Sequence, residues 1–251
     1  MTTPPPATIL VLGATSAIAQ ATCRSLAHKD ARFLLVGRDS ERLKAIATDL
    51  EQRSLCQANI LEMELTNVSK HSALLDKATS TLGTTIDLTF IAYGTLPDQM
   101  ATQNEPEKVL ASLHTNFNSA ASLLTHLAMH YEKQQSGTIA VITSVAADRG
   151  RKTLYTYCAA KAGISAFTDG IRGRLFPHKV QVLNIKPGVV NTPMTAHLAK
   201  SGMAADPQDV AEDIKRAIEK KKDILYTPSK WWAILFIIRH IPERIFKRLT
   251  I

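Results

Sequence analysis

The chain has 251 residues, and its 30 lysines and arginines against 22 aspartates and glutamates give a formal net charge of +8 with histidine neutral. Hydrophobic residues make up 45% and charged residues 21% of the chain, a balance that is typical of globular domains and excludes collagen, coiled coil and intrinsic disorder. The three cysteines are widely spaced, which argues against a disulfide framework and a CxxC metal site, so we expect a reducing, cytoplasmic setting.

Short apolar runs of strand length alternate with amphipathic stretches of helical length along the chain. The predicted strands are residues 7–12, 31–36, 55–63, 86–93, 138–143, 180–185 and 224–226. The predicted helices are residues 16–28, 40–53, 69–81, 106–134, 156–174 and 207–221. Continuous apolar strands separated by helices indicate parallel strands that are covered on both faces. We therefore predict an α/β fold: residues 1–229 form one domain around a doubly wound parallel sheet of about seven strands, and residues 230–251 form an amphipathic helical tail.

The turns after the first two predicted strands have features of a dinucleotide site, because ligands of open α/β sheets bind beyond the carboxyl ends of the strands. Gly13 allows a tight turn, and the helix after it presents free N–H groups to a pyrophosphate, although a plain strand-to-helix turn explains this glycine equally well. Arg38 follows the second strand, where a carboxylate favours NAD and a basic side chain suits a 2′-phosphate. We therefore predict that NADP(H) is preferred over NAD(H).

A serine, a tyrosine and a lysine are the strongest candidates for catalysis. Ser144 follows the fifth predicted strand, and Tyr157 and Lys161 stand four residues apart on one face of the next helix. A free phenol has a pKa of about 10, and lowering it by about three units requires roughly 4 kcal/mol of anion stabilisation, much of which we expect Lys161 to supply. With Ser144 bonded to the same oxygen, the three can polarise and protonate a carbonyl as hydride arrives from a nicotinamide. A YxxxK pair alone is more often an ordinary helix face, so the interpretation depends on the whole set.

These motifs occur in one order along one α/β chain, and the sequence resembles the short-chain dehydrogenase/reductase family over essentially its whole length. The resemblance implies a Rossmann-type fold and an NAD(P)-dependent oxidoreductase acting on CH–OH groups. It implies that Ser144, Tyr157, Lys161 and Asn116 are catalytic, and that Asn116 holds a water that relays protons through Lys161 to Tyr157. The residues that it implies for cofactor binding are Gly13, Thr15, Ser16, Ala17, Ile18, Arg38, Glu64, Leu65, Ala92, Gly94, Tyr157, Lys161, Pro187, Gly188, Val190 and Thr192.

The chain also departs from the family pattern. Ala17 and Ala19 replace two glycines of the first turn, and Tyr93 stands in the segment that is usually NNAG. The GATSAIA turn, residues 92–99 and the tryptophan-rich tail resemble the subgroup of decaprenylphosphoryl-2-keto-pentose reductases, which implies a lipid-linked ketosugar as substrate. The alternatives are a 3-ketoacyl thioester, a small hydrophobic ketone, or a catalytically silent NADP-binding or scaffold protein. Only the two alanines favour a silent protein.

The C-terminal tail combines positive charge with apolar side chains. Residues 214–251 contain ten basic and three acidic residues, and the apolar run 231–238 is far shorter than the roughly 20 residues that a transmembrane helix needs. Apolar residues recur at helical spacing at Trp231, Ile234, Leu235, Ile238, Ile241, Ile245, Phe246 and Leu249. We predict two short helices, residues 230–239 and 242–249, with Pro242 in the first turn of the second. Two interpretations stay open: the tail lies on the inner face of an anionic membrane, or it packs on its own domain or another subunit.

Other charged and metal-binding patterns are weak. His126 and His130 stand four residues apart, but no glutamate occupies the HExxH position, so we predict no metal site. The three lysines at 220–222 are typical of a solvated helix end, and we expect no nucleic-acid partner. We expect a small-molecule or lipid-linked ketone as substrate and a homo-oligomeric protein.

Overall fold

One parallel sheet organises the structure, a computed structural model that describes residues 5–196 and 204–249. The strands are β1 (Thr8–Leu12), β2 (Arg32–Gly37), β3 (Gln57–Glu62), β4 (Leu88–Ile91), β5 (Thr138–Ile142), β6 (Gln181–Pro187) and β7 (Ile224–Thr227). They pair in the order β3-β2-β1-β4-β5-β6-β7, and every pairing is parallel. The predicted α/β sheet of seven parallel strands is confirmed. Its order reverses between β1 and β4, which is where doubly wound sheets bind ligands.

Helices cover both faces of this sheet. They are α1 (Ala17–Leu26), α2 (Ser40–Ser54), α3 (His71–Leu82), α4 (Gln99–Thr102), α5 (Pro106–Leu113), α6 (Ser119–Gln134), α7 (Tyr155–Leu175), α8 (Pro207–Glu219), α9 (Lys230–His240) and α10 (Glu243–Phe246). Helices α1, α2 and α8 pack on one face, and α3, α6 and α7 pack on the other. The fold is therefore a three-layer α/β sandwich with a hydrophobic core on each face of the sheet.

The apolar strands follow from this double burial. In β1, Ile9 and Val11 point into one core, while Leu10 and Leu12 point into the other. Successive side chains of a strand alternate between the two faces of its sheet. Because both faces are covered, every position of β1 is buried and apolar residues follow one another without interruption.

Some predicted boundaries are wrong by a few residues. The predicted third strand began at Leu55, but Leu55 has a φ of 55° and its N–H bonds to the Glu51 carbonyl at 2.9 Å, so it ends α2 and β3 begins at Gln57. The second tail helix begins at Glu243, because Pro242 has an extended ψ of 142° and stands at the N-cap. The spacing of apolar residues in these segments does not show where the backbone changes conformation.

The predicted helix 106–134 contains a short π-helical stretch, His114–Asn118, between α5 and α6. At its end the N–H of Ser119 bonds to the carbonyl of His114, five residues earlier. Such π-bulges widen a helix by one residue and occur frequently at functional sites. Here the bulge carries Asn116, which the sequence resemblance implied to be catalytic.

Candidate active site

A cleft of about 500 Å³ opens at the carboxyl ends of the central strands. Ser144 and all the residues that the sequence resemblance implied for cofactor binding line it: Gly13, Thr15, Ser16, Ala17, Ile18, Arg38, Glu64, Leu65, Ala92, Gly94, Tyr157, Lys161, Pro187, Gly188, Val190 and Thr192. These residues come from turns that are distant in sequence. The topology brings them together because parallel strands present all their carboxyl ends at one edge of the sheet.

The turn between β1 and α1 is tight and lines the cleft. Gly13 has a φ of +88°, and a Cβ added to it would lie 2.6 Å from the Cβ of Tyr93, so the turn requires glycine. Ser16 stands at the N-cap of α1 without a side-chain capping bond, so it leaves the first N–H groups of the helix available to a ligand. Of the two alanines that replace family glycines, Ala19 is buried in the core, while Ala17 lines the cleft.

Two arginines flank the end of the cleft where the adenosine is expected. The Arg38 guanidinium lies 3.4 Å from the Glu64 carboxylate, and both side chains are largely exposed. Arg42, a residue that the sequence analysis missed, also lines the cleft and donates to the carbonyl of Thr15 at 3.4 Å. Its position in the first turn after β2 is the signal that could have identified it. Asp39 accepts from the backbone N–H of Arg42 at 3.0 Å and so acts as the N-cap of α2.

The loop after β3 is held by two histidines from neighbouring helices. Nε2 of His71 lies 2.9 Å from the carbonyl oxygen of Leu65, and Nε2 of His114 lies 2.9 Å from that of Thr66. His71 is buried, and burial lowers the pKa of its imidazole, which favours the neutral ring. The two histidines therefore fix the backbone beside Glu64 and Leu65, which line the cleft.

At the other end of the cleft, Ser144, Tyr157 and Lys161 form one cluster. The Ser144 hydroxyl caps the short turn Val145–Ala147 by accepting from the N–H of Ala146 at 3.0 Å. Tyr157 and Lys161 lie one turn apart near the start of α7, and Nζ of Lys161 is 5.7 Å from the centre of the Tyr157 ring. The buried Lys161 ammonium donates to the carbonyl of Ile142 at 3.2 Å.

The electrostatics of this cluster differ from the sequence expectation. Burial raises the pKa of the Tyr157 phenol to about 12, while a hydrogen bond with Ser144 acts in the opposite direction. Burial also lowers the pKa of the Lys161 ammonium to about 8. The expectation that Lys161 brings Tyr157 towards neutral pH is therefore wrong for the ligand-free site, because desolvation of the buried phenol outweighs the effect of its hydrogen bond with Ser144. The phenol stays protonated and can serve as a proton donor.

Asn116 lies behind this cluster and does not line the cleft. Its Oδ1 accepts from the N–H of Thr95 at 2.9 Å, and its Nδ2 donates to the carbonyl of Ser112 at 3.1 Å. A Cβ added to Gly94 would lie 2.7 Å from this Oδ1 and 3.5 Å from Nζ of Lys161, so Gly94 leaves space for both side chains. The Asn116 side chain thus fixes the loop after β4, and its water-holding role remains a prediction.

A buried ion pair joins the two loops that carry Ser144 and Gly188. Nζ of Lys186 lies 2.6 Å from the carboxylate of Asp148, and the Tyr226 hydroxyl donates to the second oxygen of that carboxylate at 2.7 Å. Asp148 follows the turn after Ser144, and Lys186 precedes Pro187 and Gly188 at the end of β6. The pair therefore holds both walls of the cleft in one arrangement.

Helices α9 and α10 pack against the same two loops. Trp231 and Leu235 are buried against Val145 and Val189, and a Cβ added to Gly188 would lie 1.8 Å from Nε1 of Trp231. The sequence identified an apolar stripe in the tail and left its environment open; Trp231 and Leu235 of that stripe pack on the domain.

Arg149 fastens the end of the tail. Its guanidinium donates to the carbonyls of Ile238 and Ile241 at 2.5 and 2.7 Å, pairs with Glu243 at 2.9 Å and lies 3.5 Å from the centre of the Phe246 ring. One arginine thus closes the carboxyl end of α9 and holds α10.

In the described parts of the chain no helix is long and apolar enough to span a bilayer, and no three His, Cys, Asp or Glu side chains form a metal-binding group there.

The dinucleotide-type cleft with a Ser, Tyr and Lys cluster defines an NAD(P)-dependent oxidoreductase. The chain belongs to the short-chain dehydrogenase family, whose model matches residues 7–202. This result confirms the family that the sequence motifs indicated, while the narrower subgroup stays a prediction.

Relatives and solved structures agree with this assignment. An uncharacterized oxidoreductase of Streptomyces coelicolor is 28% identical over 98% of this chain and 97% of its own length. An uncharacterized oxidoreductase of Mycobacterium tuberculosis is also 28% identical, over 97% of each chain. A short-chain dehydrogenase from Sphingobium yanoikuyae in complex with NADPH superimposes with a TM-score of 0.80 at 19% identity, over 94% of this chain and 96% of that one. An actinorhodin polyketide ketoreductase variant with NADPH gives a TM-score of 0.80 at 21% identity, over 90% and 97%.

Proposed function

We propose that this enzyme uses NADPH to reduce a ketone, or NADP⁺ to oxidise the corresponding secondary alcohol, and that its substrate is a lipid-linked ketosugar. The observation that carries the cofactor preference is the charge at the adenosine end of the cleft. Arg38 and Arg42 both line it, whereas the neighbouring carboxylate of Asp39 is used as a helix cap. Arginine recognises phosphate groups well, so this end suits a 2′-phosphate.

The remaining cleft residues fit a nicotinamide dinucleotide. The uncapped N-terminus of α1 and the tight turn at Gly13, which lines the cleft, suit the pyrophosphate. By the family resemblance, Lys161 and Thr192 would hold the nicotinamide end, and both line the cleft near Pro187. Two NADPH-bound structures share the fold, which supports the same cofactor here.

The chain's own residues supply the proton chemistry. A bound NADPH provides hydride for the carbonyl carbon. The Tyr157 phenol would donate its proton to the carbonyl oxygen, because its raised pKa keeps it protonated at neutral pH. The Ser144 hydroxyl, already hydrogen-bonded with that phenol, would stabilise the same oxygen. The Lys161 ammonium, with a pKa of about 8, would stabilise the phenolate that forms and supply the replacement proton.

The intact cluster opposes a catalytically silent scaffold, since a pure binding protein requires none of its three side chains. The substrate class is supported by the apolar surface of α9, which begins beside the catalytic serine loop. A 3-ketoacyl thioester is the second candidate, because one solved structure with this fold is a polyketide ketoreductase.

The test is a comparison of substrates and cofactors at matched concentrations. The oxidation of NADPH and of NADH is followed by absorbance with a polyprenyl-phosphate ketopentose, a 3-ketoacyl thioester and a small cyclic ketone. We expect the highest kcat/KM with the lipid-linked ketosugar and NADPH. A higher value with the thioester would assign the second candidate, and equal values for the two cofactors would contradict the proposed preference.

A further inference from the structure

Helix α9 is apolar on its outer face as well as on its inner face. Trp231 and Leu235 are buried against the domain, but Trp232, Phe236 and Ile237 are 60%, 54% and 65% exposed. The apolar stripe found in the sequence included the inner residues and none of these three. A helix that is apolar on all sides is usually buried on all sides. The outer face of α9 is unusual because it is apolar and yet exposed.

The outer side chains form an ordered row. The rings of Trp232 and Phe236 stack at 5.7 Å with planes 20° apart, and the His240 ring lies 4.5 Å from Phe236. Ile245 of α10 is a further exposed apolar residue in the tail. Tryptophan and large aliphatic residues on one side of a short helix are typical of helices that lie in a membrane interface.

The charges around this row are positive. The exposed basic residues of the described tail are Lys230, Arg239, Arg244, Lys247 and Arg248. Glu243 is the single acidic residue after Lys230 in the sequence, and it is paired with Arg149 at 2.9 Å. An apolar row with a basic surround complements an anionic lipid surface, in which acyl chains lie beneath negative headgroups.

The position of α9 sets its relation to the cleft. The helix begins directly after β7, at the carboxyl edge of the sheet, and its inner face touches the loops that carry Ser144 and Gly188. Arg149 holds its far end, so the outer row is presented by a helix that is already folded and fixed.

We propose that the outer face of α9, together with Ile245 of α10, binds in plane to an anionic lipid surface and so holds the catalytic end of the cleft at the membrane. Eleven residues are too few to cross a bilayer, so the contact is peripheral. The proposal does not depend on the substrate, and vesicle binding can be measured without turnover.

The first test measures binding of the full chain to vesicles. Phosphatidylcholine vesicles with about 30% phosphatidylglycerol are compared with phosphatidylcholine alone, by co-sedimentation at about 0.1 M and 0.5 M salt. We expect binding to the anionic vesicles that weakens with salt and is at least about tenfold weaker without the anionic lipid. Equal binding to both vesicle types, or binding to neither, would overturn the proposal.

Paired serine variants assign the binding surface. W232S with F236S removes the outer row, and we expect at least about a tenfold loss of vesicle affinity. L55S with F176S is the matched control, because both residues are 80% exposed and precede strands, which puts them at the opposite edge of the sheet. The control should bind as the native protein does. If both double variants bind natively, the surface is wrongly assigned.

Two further measurements test the contribution of the basic residues to vesicle binding and test for self-association of the chain. Replacing Arg239 and Arg244 by glutamine should weaken binding by about fivefold for each charge removed. Sedimentation velocity tests whether a second copy of this chain covers the row instead. A dimer that is lost in W232S with F236S, in a protein that does not bind vesicles, would overturn the proposal.

Discussion

Replacing Lys161 by methionine should stabilise the ligand-free protein at pH 7. Lys161 is 4% exposed, and burial lowers the pKa of its ammonium from 10.5 to about 8. That difference corresponds to about 3 kcal/mol of lost stability at pH 7. Methionine keeps most of the packing of the lysine stem but loses the hydrogen bond to the Ile142 carbonyl, which contributes about 1 kcal/mol. We therefore expect the free energy of unfolding to rise by about 2 kcal/mol.

The gain should depend on pH with a definite sign. Below about pH 8 the lysine is charged in both the folded and the unfolded states, so the native protein bears the full cost of burying the charge. Between pH 8 and 10.5 the unfolded chain binds more protons than the folded one, so raising the pH stabilises the native protein. The advantage of the methionine variant should therefore shrink over this window and reverse above it, where only the lost hydrogen bond remains.

Urea unfolding of both ligand-free proteins at a series of pH values measures this difference. Lys29→Met is the control, because Lys29 is exposed and its replacement should change stability by less than about 0.5 kcal/mol at any pH. The buried tyrosines titrate in all three proteins, so their effect cancels when the variants are compared. A Lys161→Met protein that is less stable at pH 7, by an amount that does not vary with pH, would refute the reasoning.

Three other variants test the site. Tyr157→Phe should reduce kcat by at least about a thousandfold, because the proton donor is lost. The Kd for NADPH, measured by fluorescence, should stay within about threefold of the native value. A near-native kcat would contradict the role of Tyr157 as proton donor. Arg38→Ala with Arg42→Ala should weaken NADPH binding by at least about tenfold and NADH binding much less, and equal losses in calorimetric titrations would argue against 2′-phosphate recognition. Gly188→Ala should lower the free energy of unfolding by about 1–3 kcal/mol, because its methyl occupies the space of the Trp231 indole; native stability in urea would show that the indole moves aside freely.

The layered fold could be predicted because its pattern is local. The alternation of apolar strands and amphipathic helices specifies a parallel sheet without any knowledge of tertiary contacts. The π-helical stretch at Asn116 could not be predicted, since the sequence pattern predicts one helix over residues 106–134 and the bond of Asn116 to Thr95 is a contact between segments that are distant in sequence.

The candidate site likewise has features that the sequence predicts and features that it does not. The order of motifs along the chain was enough to collect the cleft residues, because strand ends share one edge of the sheet. The pKa of Tyr157 depends on how much water the fold removes, and helical spacing to Lys161 carries no such information. Likewise, periodicity identified an apolar stripe in the tail, but only the packing of Trp231 on Gly188 shows which side of α9 faces the domain.

Gly188 and Trp231 lie far apart in sequence, but their side-chain positions share the same space in the fold. They are neighbours in space although β7 and α8 separate them in sequence, and the indole fills the space that any side chain at position 188 would need. A relative with a larger residue at 188 must therefore carry a smaller one at 231, or let its last helices move away from the catalytic loops. The tail and the nicotinamide-side turn are thus coupled, and a C-terminal segment exchanged between relatives that differ at these two positions should pack best when both residues are exchanged together.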